Sequence, residues 1–435
     1  MTSNDRIERA VSVWFREDAA FRVPDHLDEV LEVTRGTRQR PAWSSLERWL
    51  PVDTTFRPRL FTVPRGGRLA LVAALILLLL AIAILAVGSQ RRPLPEPFGL
   101  ARNGIFVTSR DGDIHLIDPA TGGSRPLELG EGFDFSPIFS RDGTRMVFLR
   151  SDGPITEPAL LTLYVANADG SGVRAVTPPT KSLDWFDWSP DGTQVAYVGN
   201  GQLWVVDIAG GEPRRIDGAG RAHFPTWLPP GGEDIVYRLE SSYPGIFAIA
   251  ADGSGERRQL SKTAPLNEFD YQSIALSPDG THLTFTRWFE KGSDGQPYPA
   301  SLGWLPRLFA MDVATGTEVQ LPTPPGTGQR GGAAYSPDGT LVAYARIYRE
   351  GAFQLVVANA DGSGNERTIG EKRPGKPDGS DVDAAWAFTP DGTALVVRYG
   401  NDDQGTTHLM PLDGSPVTDL GSGEFEFVDV QRLAP

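Results

Sequence analysis

Cysteine is absent from all 435 residues. That excludes a disulfide framework, a thiolate zinc site and a thiol nucleophile together. Histidine occurs five times, as His26, His115, His223, His282 and His408, with no metal-ligand spacing. No Gly-x-Ser-x-Gly and no glycine-rich phosphate loop occurs in the chain, so the signals of a serine-hydrolase elbow and of a nucleotide cradle are both missing. The repeated Asn-Ala-Asp-Gly-Ser-Gly at 167–172 and 359–364 lacks the closing glutamate and alternating acids of a calcium loop, and reads as a hairpin turn. No cluster of titratable residues converges in the sequence. These absences lead to the expectation that the chain is not an enzyme and uses no metal or cofactor.

Glycine (49) and proline (36) are abundant, as a fold with many turns requires. The net charge is −14. The first 100 residues are slightly basic, so the acid excess lies in residues 101–435. An acidic domain repels phosphate backbones, which argues against a nucleic-acid partner. Leu69 to Val87 is a run of 19 apolar residues without charge or proline. As a helix it spans about 28 Å, close to the ~30 Å of a bilayer core, so residues 69–88 are expected to be a transmembrane helix. Arginines are denser before this run than after it, which puts the N-terminus in the cytoplasm and residues 104–435 outside a cell (plasma or inner) membrane. Residues 89–103, with Pro93, Pro95 and Pro97, read as a stiff proline-rich linker.

Residues 1–60 carry short amphipathic patterns. Ile7, Val11, Trp14 and Phe15 share one helical face, and Pro24 opens a second helix that Gly36 ends. These helices either pack on one another or dock onto a cytoplasmic protein partner. The layout over residues 1–90 resembles that of bacterial membrane-bound anti-sigma factors, although His26 stands without the cysteines of their zinc-binding subgroup. The resemblance implies a sigma factor as the partner.

The dominant signal is an internal repeat. Ser-Pro-Asp-Gly-Thr occurs at Ser189–Thr193, Ser277–Thr281 and Ser336–Thr340. Near copies stand at Ser140–Thr144 and Thr389–Thr393, and a degenerate one at Leu228–Gly232. Proline presets the first turn angle, aspartate bonds its own backbone, and glycine takes the positive φ. Strand-like residues follow each turn, as in Val195–Val198 and Leu341–Tyr344. A second series, including Asp169-Gly170, Asp252-Gly253, Asp361-Gly362 and Asp413-Gly414, marks seven further hairpins. These counts predict an all-β propeller of seven four-stranded antiparallel blades, with six as the alternative if the blade around Pro230 is incomplete. The C-terminal strand, placed at Phe425–Val430, closes the first blade. Trp188-Ser189-Pro190-Asp191-Gly192-Thr193-Gln194-Val195-Ala196-Tyr197 resembles the blade motif of the TolB-like, WD40-like propellers. That family resemblance implies the fold over residues 103–433 and leaves the function open.

In this topology the tight turns share one face, and the long loops share the other. Trp288–Arg307 is the richest long segment, and Trp288, Phe289, Tyr298, Trp304 and Arg307 are the candidate ligand-binding residues. The reading that follows is a membrane-anchored, non-enzymatic binding or sensing propeller. It would engage a protein, peptide or glycan outside and signal to a regulator inside. Two alternatives stand beside it: a cell-envelope scaffold, and an enzyme working in the propeller tunnel.

Overall fold

The computed structural model describes residues 96–434, apart from residues 120, 154–158, 219, 241–244, 262–268, 290–304, 323, 325–326, 349–351, 376–383, 401–404 and 424–427. The predicted helices of residues 1–60, the apolar run 69–87 and the first part of the linker lie outside the described residues. Among the described residues no helix is long and apolar enough to cross a membrane.

Twenty-eight strands form seven four-stranded sheets. Six sheets are antiparallel meanders whose first strand lies innermost, and in the seventh the C-terminal strand takes that place. The innermost strands, in ring order, are Asp429–Leu433, Phe133–Phe139, Leu183–Trp188, Arg221–Trp227, Phe269–Leu276, Thr327–Tyr335 and Ala384–Phe388. The blade around Pro230 is complete, with strands Arg221–Trp227, Asp234–Glu240, Gly245–Ala250 and Arg258–Gln259. Seven blades therefore hold and six are excluded.

The ring closes through the C-terminal strand, which pairs antiparallel with Arg102–Arg110. Phe106 faces Val430 and Val107 faces Asp429 in this register. The closing strand is Asp429–Leu433 rather than the predicted Phe425–Val430, so it runs nearer the C-terminus. One other boundary moves: the first propeller strand begins at Arg102, inside the expected linker.

The repeat motif does what its chemistry predicts. Ser189 Oγ donates to Asp191 Oδ1 at 2.6 Å, and the same carboxylate oxygen accepts the N–H of Thr193 at 3.0 Å. Ser140, Ser277, Ser336 and Thr389 repeat the 2.6 Å bond to Asp142, Asp279, Asp338 and Asp391. Between blades the sheets bury aliphatic and aromatic side chains. Val147 and Leu163 of one blade, for example, meet Trp188, Val195 and Val206 of the next. Full burial of each such side chain stabilises by roughly 1.5–3 kcal/mol. Tryptophan indoles tie neighbouring blades at the centre: Trp188 Nε1 donates to Ile138 O at 3.0 Å and Trp227 Nε1 to Asp187 O at 3.1 Å.

Gly143 shows how closely the closing strand approaches its neighbour. Its φ is +68°, and a Cβ there would stand 2.1 Å from the carbonyl oxygen of Arg432. Gly414 has a similar φ of +84° and open space around it. Gly414→Ala is expected to cost about 1 kcal/mol, the left-handed penalty alone. Gly143→Ala should cost several times that, because backbone must also move. Urea denaturation of the two variants checks this, and equal losses would remove the close approach from the account.

Candidate functional site

Of the predicted binding residues, the structure describes the side chains of Phe289 and Arg307. Phe289 ends the strand His282–Phe289, and Arg307 lies in the adjoining strand Leu305–Asp312. The Arg307 guanidinium sits over the Phe289 ring at 4.4 Å, and that ring stacks on Phe309 at 6.1 Å. These two side chains pack within their own sheet. Trp288 belongs to the same strand, paired with Pro306. Tyr298, Trp304 and the side chain of Trp288 lie outside what the structure describes.

The structure brings a different set together, at the tight-turn end of the channel. A cavity of about 340 Å³ lies where the innermost strands end. Five of those strands line it, and Arg141, two residues past a sixth, lines it as well. Its charged side chains are Arg141, Asp429 and Arg432, with aromatic surface that includes Trp227 and Tyr335.

Two carboxylates hold equivalent places in blades that flank the blade of Arg141. Asp187 precedes Trp188-Ser189 at the end of its innermost strand, and Asp429 precedes Val430-Gln431 at the start of its own. Each accepts a backbone N–H from the next blade: Asp187 Oδ2 from Trp227 at 3.2 Å, Asp429 Oδ2 from Phe139 at 2.6 Å. Arg141 Nη2 reaches Asp187 Oδ1 at 3.1 Å. The other five blades carry Ile138, Thr226, Ala275, Ala334 and Ala387 at this position. The two acids are therefore particular to this side of the channel.

Burial sets their protonation. Desolvation lifts the Asp429 carboxyl to about 6, against the opposing pull of the Phe139 and Val430 N–H groups and of Arg141 and Arg432. Asp187 is also pushed up by burial, with Arg141 and the Trp227 N–H acting against it. Burial drives Arg432 down to about 10, helped by the like charge of Arg141. A carboxyl poised near neutrality beside a fixed guanidinium can both accept and donate a proton at physiological pH. The expectation that no titratable cluster converges is thus corrected. The acids and arginines are scattered from residue 141 to residue 432, and only the ring closure joins them.

No family model matches the chain. Curated relatives do. Dipeptidyl-peptidase 5 of Porphyromonas endodontalis is 25% identical over 271 residues, 61% of this chain and 36% of that protein. Tricorn protease homolog 1 of Streptomyces coelicolor is 27% identical over 277 residues, 60% of this chain and 23% of that protein. The uncharacterized peptidase YuxL of Bacillus subtilis is 26% identical over 180 residues, 40% of this chain and 25% of that protein. The chain therefore spans between about a quarter and a third of the length of these relatives. Among solved structures, an oligogalacturonate lyase from Vibrio parahaemolyticus superposes with a TM-score of 0.53 at 14% identity, over 74% of this chain and 90% of that one. At that identity the likeness is one of fold. The relatives overturn the expectation of a non-enzymatic binding module, since all three are named as peptidases or proteases.

The raised carboxyl of Asp429 has a signature in stability. Its folded-state value of about 6 lies above the unfolded value of 3.8, so the folded state holds this proton more tightly. The stabilisation is present in full below about pH 4 and is lost as pH rises through 6, by at most ~3 kcal/mol. Asp429→Asn keeps an oxygen for the Phe139 N–H and removes the ionisation. In urea titrations between pH 4 and pH 8 the variant should gain on the wild type as pH rises. A difference that stays constant across that range would refute the assignment.

Proposed function

We propose that the chain is a hydrolytic enzyme acting on peptides, with its reaction centre at the channel mouth around Asp429, Arg141 and Asp187. The observation that carries this reading is the place of Asp429, Arg141 and Arg432 on one cavity, with Arg141 held by Asp187 at 3.1 Å. The peptidase relatives support the substrate class.

In the proposed reaction the ionised Asp429 takes a proton from a water molecule as its oxygen bonds to the scissile carbonyl carbon. Arg141 has five N–H donors and spends one on Asp187. The remainder are available to the developing oxyanion. The proton on Asp429 then passes to the departing amine as the C–N bond breaks, which returns the carboxylate. Asp187 holds the guanidinium in place, so it acts as a positioning residue. The N-terminal 19-residue apolar run and its flanking arginines support a place outside the membrane for this centre.

Incubation of the full chain in detergent with a defined peptide mixture, read by mass spectrometry, tests the chemistry. Wild type should cleave, and Asp429→Asn should lower kcat by roughly 10²–10⁴-fold, the usual contribution of a general acid–base group. Cleavage by Asp429→Asn at the wild-type rate would overturn the proposal, as would no cleavage by either protein.

The absence of cysteine makes the orientation directly testable. Ser254 is exposed in a tight turn. A Ser254→Cys variant should react with a membrane-impermeant maleimide in intact cells, and labelling only after lysis would place the propeller inside.

A further inference from the structure

The mouth of the channel is crossed by the chain itself. Residues Glu96 to Ala101 run over the cavity on their way into the first propeller strand. Arg432 Nη2 donates to the backbone carbonyls of Glu96, at 3.0 Å, and Gly99, at 2.8 Å. The Phe98 ring lies under the Arg141 guanidinium at 5.3 Å. Ala101 N donates to Pro390 O at 2.9 Å and fixes the far end. Pro97, Phe98 and Gly99 all line the cavity. Phe98 and Gly99 also line a second space of about 630 Å³, over the turns at Ser277–Asp279 and Pro337–Gly339. The segment therefore separates the candidate reaction centre from a groove on the same face.

We propose that residues 96–101 occupy this mouth as a peptide ligand would, and that the cavity with its groove is a binding site for an extended peptide carrying an aromatic side chain. The contacts are of a kind that a separate peptide can reproduce: two main-chain carbonyls on one guanidinium, and one aromatic ring against a second guanidinium. Both Arg432 bonds go to main-chain carbonyls, which a peptide of any sequence offers. Phe98 supplies the specificity through the cation–π contact with Arg141. The same Arg141 belongs to the proposed reaction centre, so a ring seated under it lies beside Asp429 and Asp187. The inference rests on the reading of the channel as a peptide site. It adds that the site is self-covered, and that the cover is the continuation of the N-terminal region.

The test uses the full chain in detergent and a fluorescent, terminally blocked peptide with the sequence of residues 96–100, Glu-Pro-Phe-Gly-Leu. Anisotropy in the Asp429→Asn background reads binding without turnover, so failure here is separate from failure of the hydrolysis test. Phe98→Ala empties the aromatic place and should bind the peptide at least tenfold more tightly than the chain with Phe98 intact. A peptide with alanine for its phenylalanine should lose that gain, and adding Arg432→Gln should abolish binding. Phe98→Leu carries the same comparison with a milder change should the alanine variant fold poorly. Equal binding with and without Phe98, or no binding to either variant, would make the segment a fixed part of the fold and overturn the inference.

Discussion

Everything at the channel mouth depends on one pairing, that of the C-terminal strand Asp429–Leu433 with Arg102–Arg110. It joins the two ends of a chain segment more than 300 residues long and completes the first blade from both. The closing strand lies beside Phe133–Phe139, where Asp429 braces the N–H of Phe139. It also carries Arg432 to the carbonyls of Glu96 and Gly99. Without closure the first blade loses its innermost strand, Asp429 leaves the neighbourhood of Arg141, and the entering segment loses its Arg432 anchor.

The closure also sets the electrostatics. A propeller centre is narrow and lined by strand ends, so charges placed there are desolvated. Desolvation favours the neutral carboxyl, and the nearby arginines favour the ionised one. At Asp429 desolvation wins, and the result is a group that titrates near neutrality. The turn aspartates show the opposite balance. In Asp191, Asp279, Asp338 and Asp391 burial is weaker than the hydrogen bonds from serine or threonine hydroxyls and backbone N–H, and each is held below the usual range. One residue type is thus a fixed structural anion in the turns and a group that titrates near neutrality in the channel.

The fold was legible because its signal is local and repeated. Each Ser-Pro-Asp-Gly-Thr turn states its own geometry, and seven second-series hairpins fix the blade count. The site was not legible for the converse reason. Asp187 and Asp429 are single acids inside ordinary strands, and they become partners only when blades are aligned in space. The signal that could have found them is their common place, two residues before the turn serine or its equivalent. In the first blade that equivalent is Gln431, with no Pro-Asp-Gly after it, so the alignment is hidden. Reading the closing strand as Phe425–Val430 also left Arg432 outside it. The linker posed a different problem: proline content describes stiffness and not path, so nothing in residues 89–103 foretold that its end crosses the channel.

The central claim is that Asp429 works as the proton carrier under the influence of Arg141. The most direct test is the pH dependence of kcat/KM for peptide hydrolysis, compared between wild type and Arg141→Gln. Wild type should show an inflection near pH 6. Removing the guanidinium withdraws a charge that favours the carboxylate, so the inflection should move upward and the plateau should fall. An inflection that stays in place in Arg141→Gln, or a wild-type profile without one near pH 6, would contradict the account.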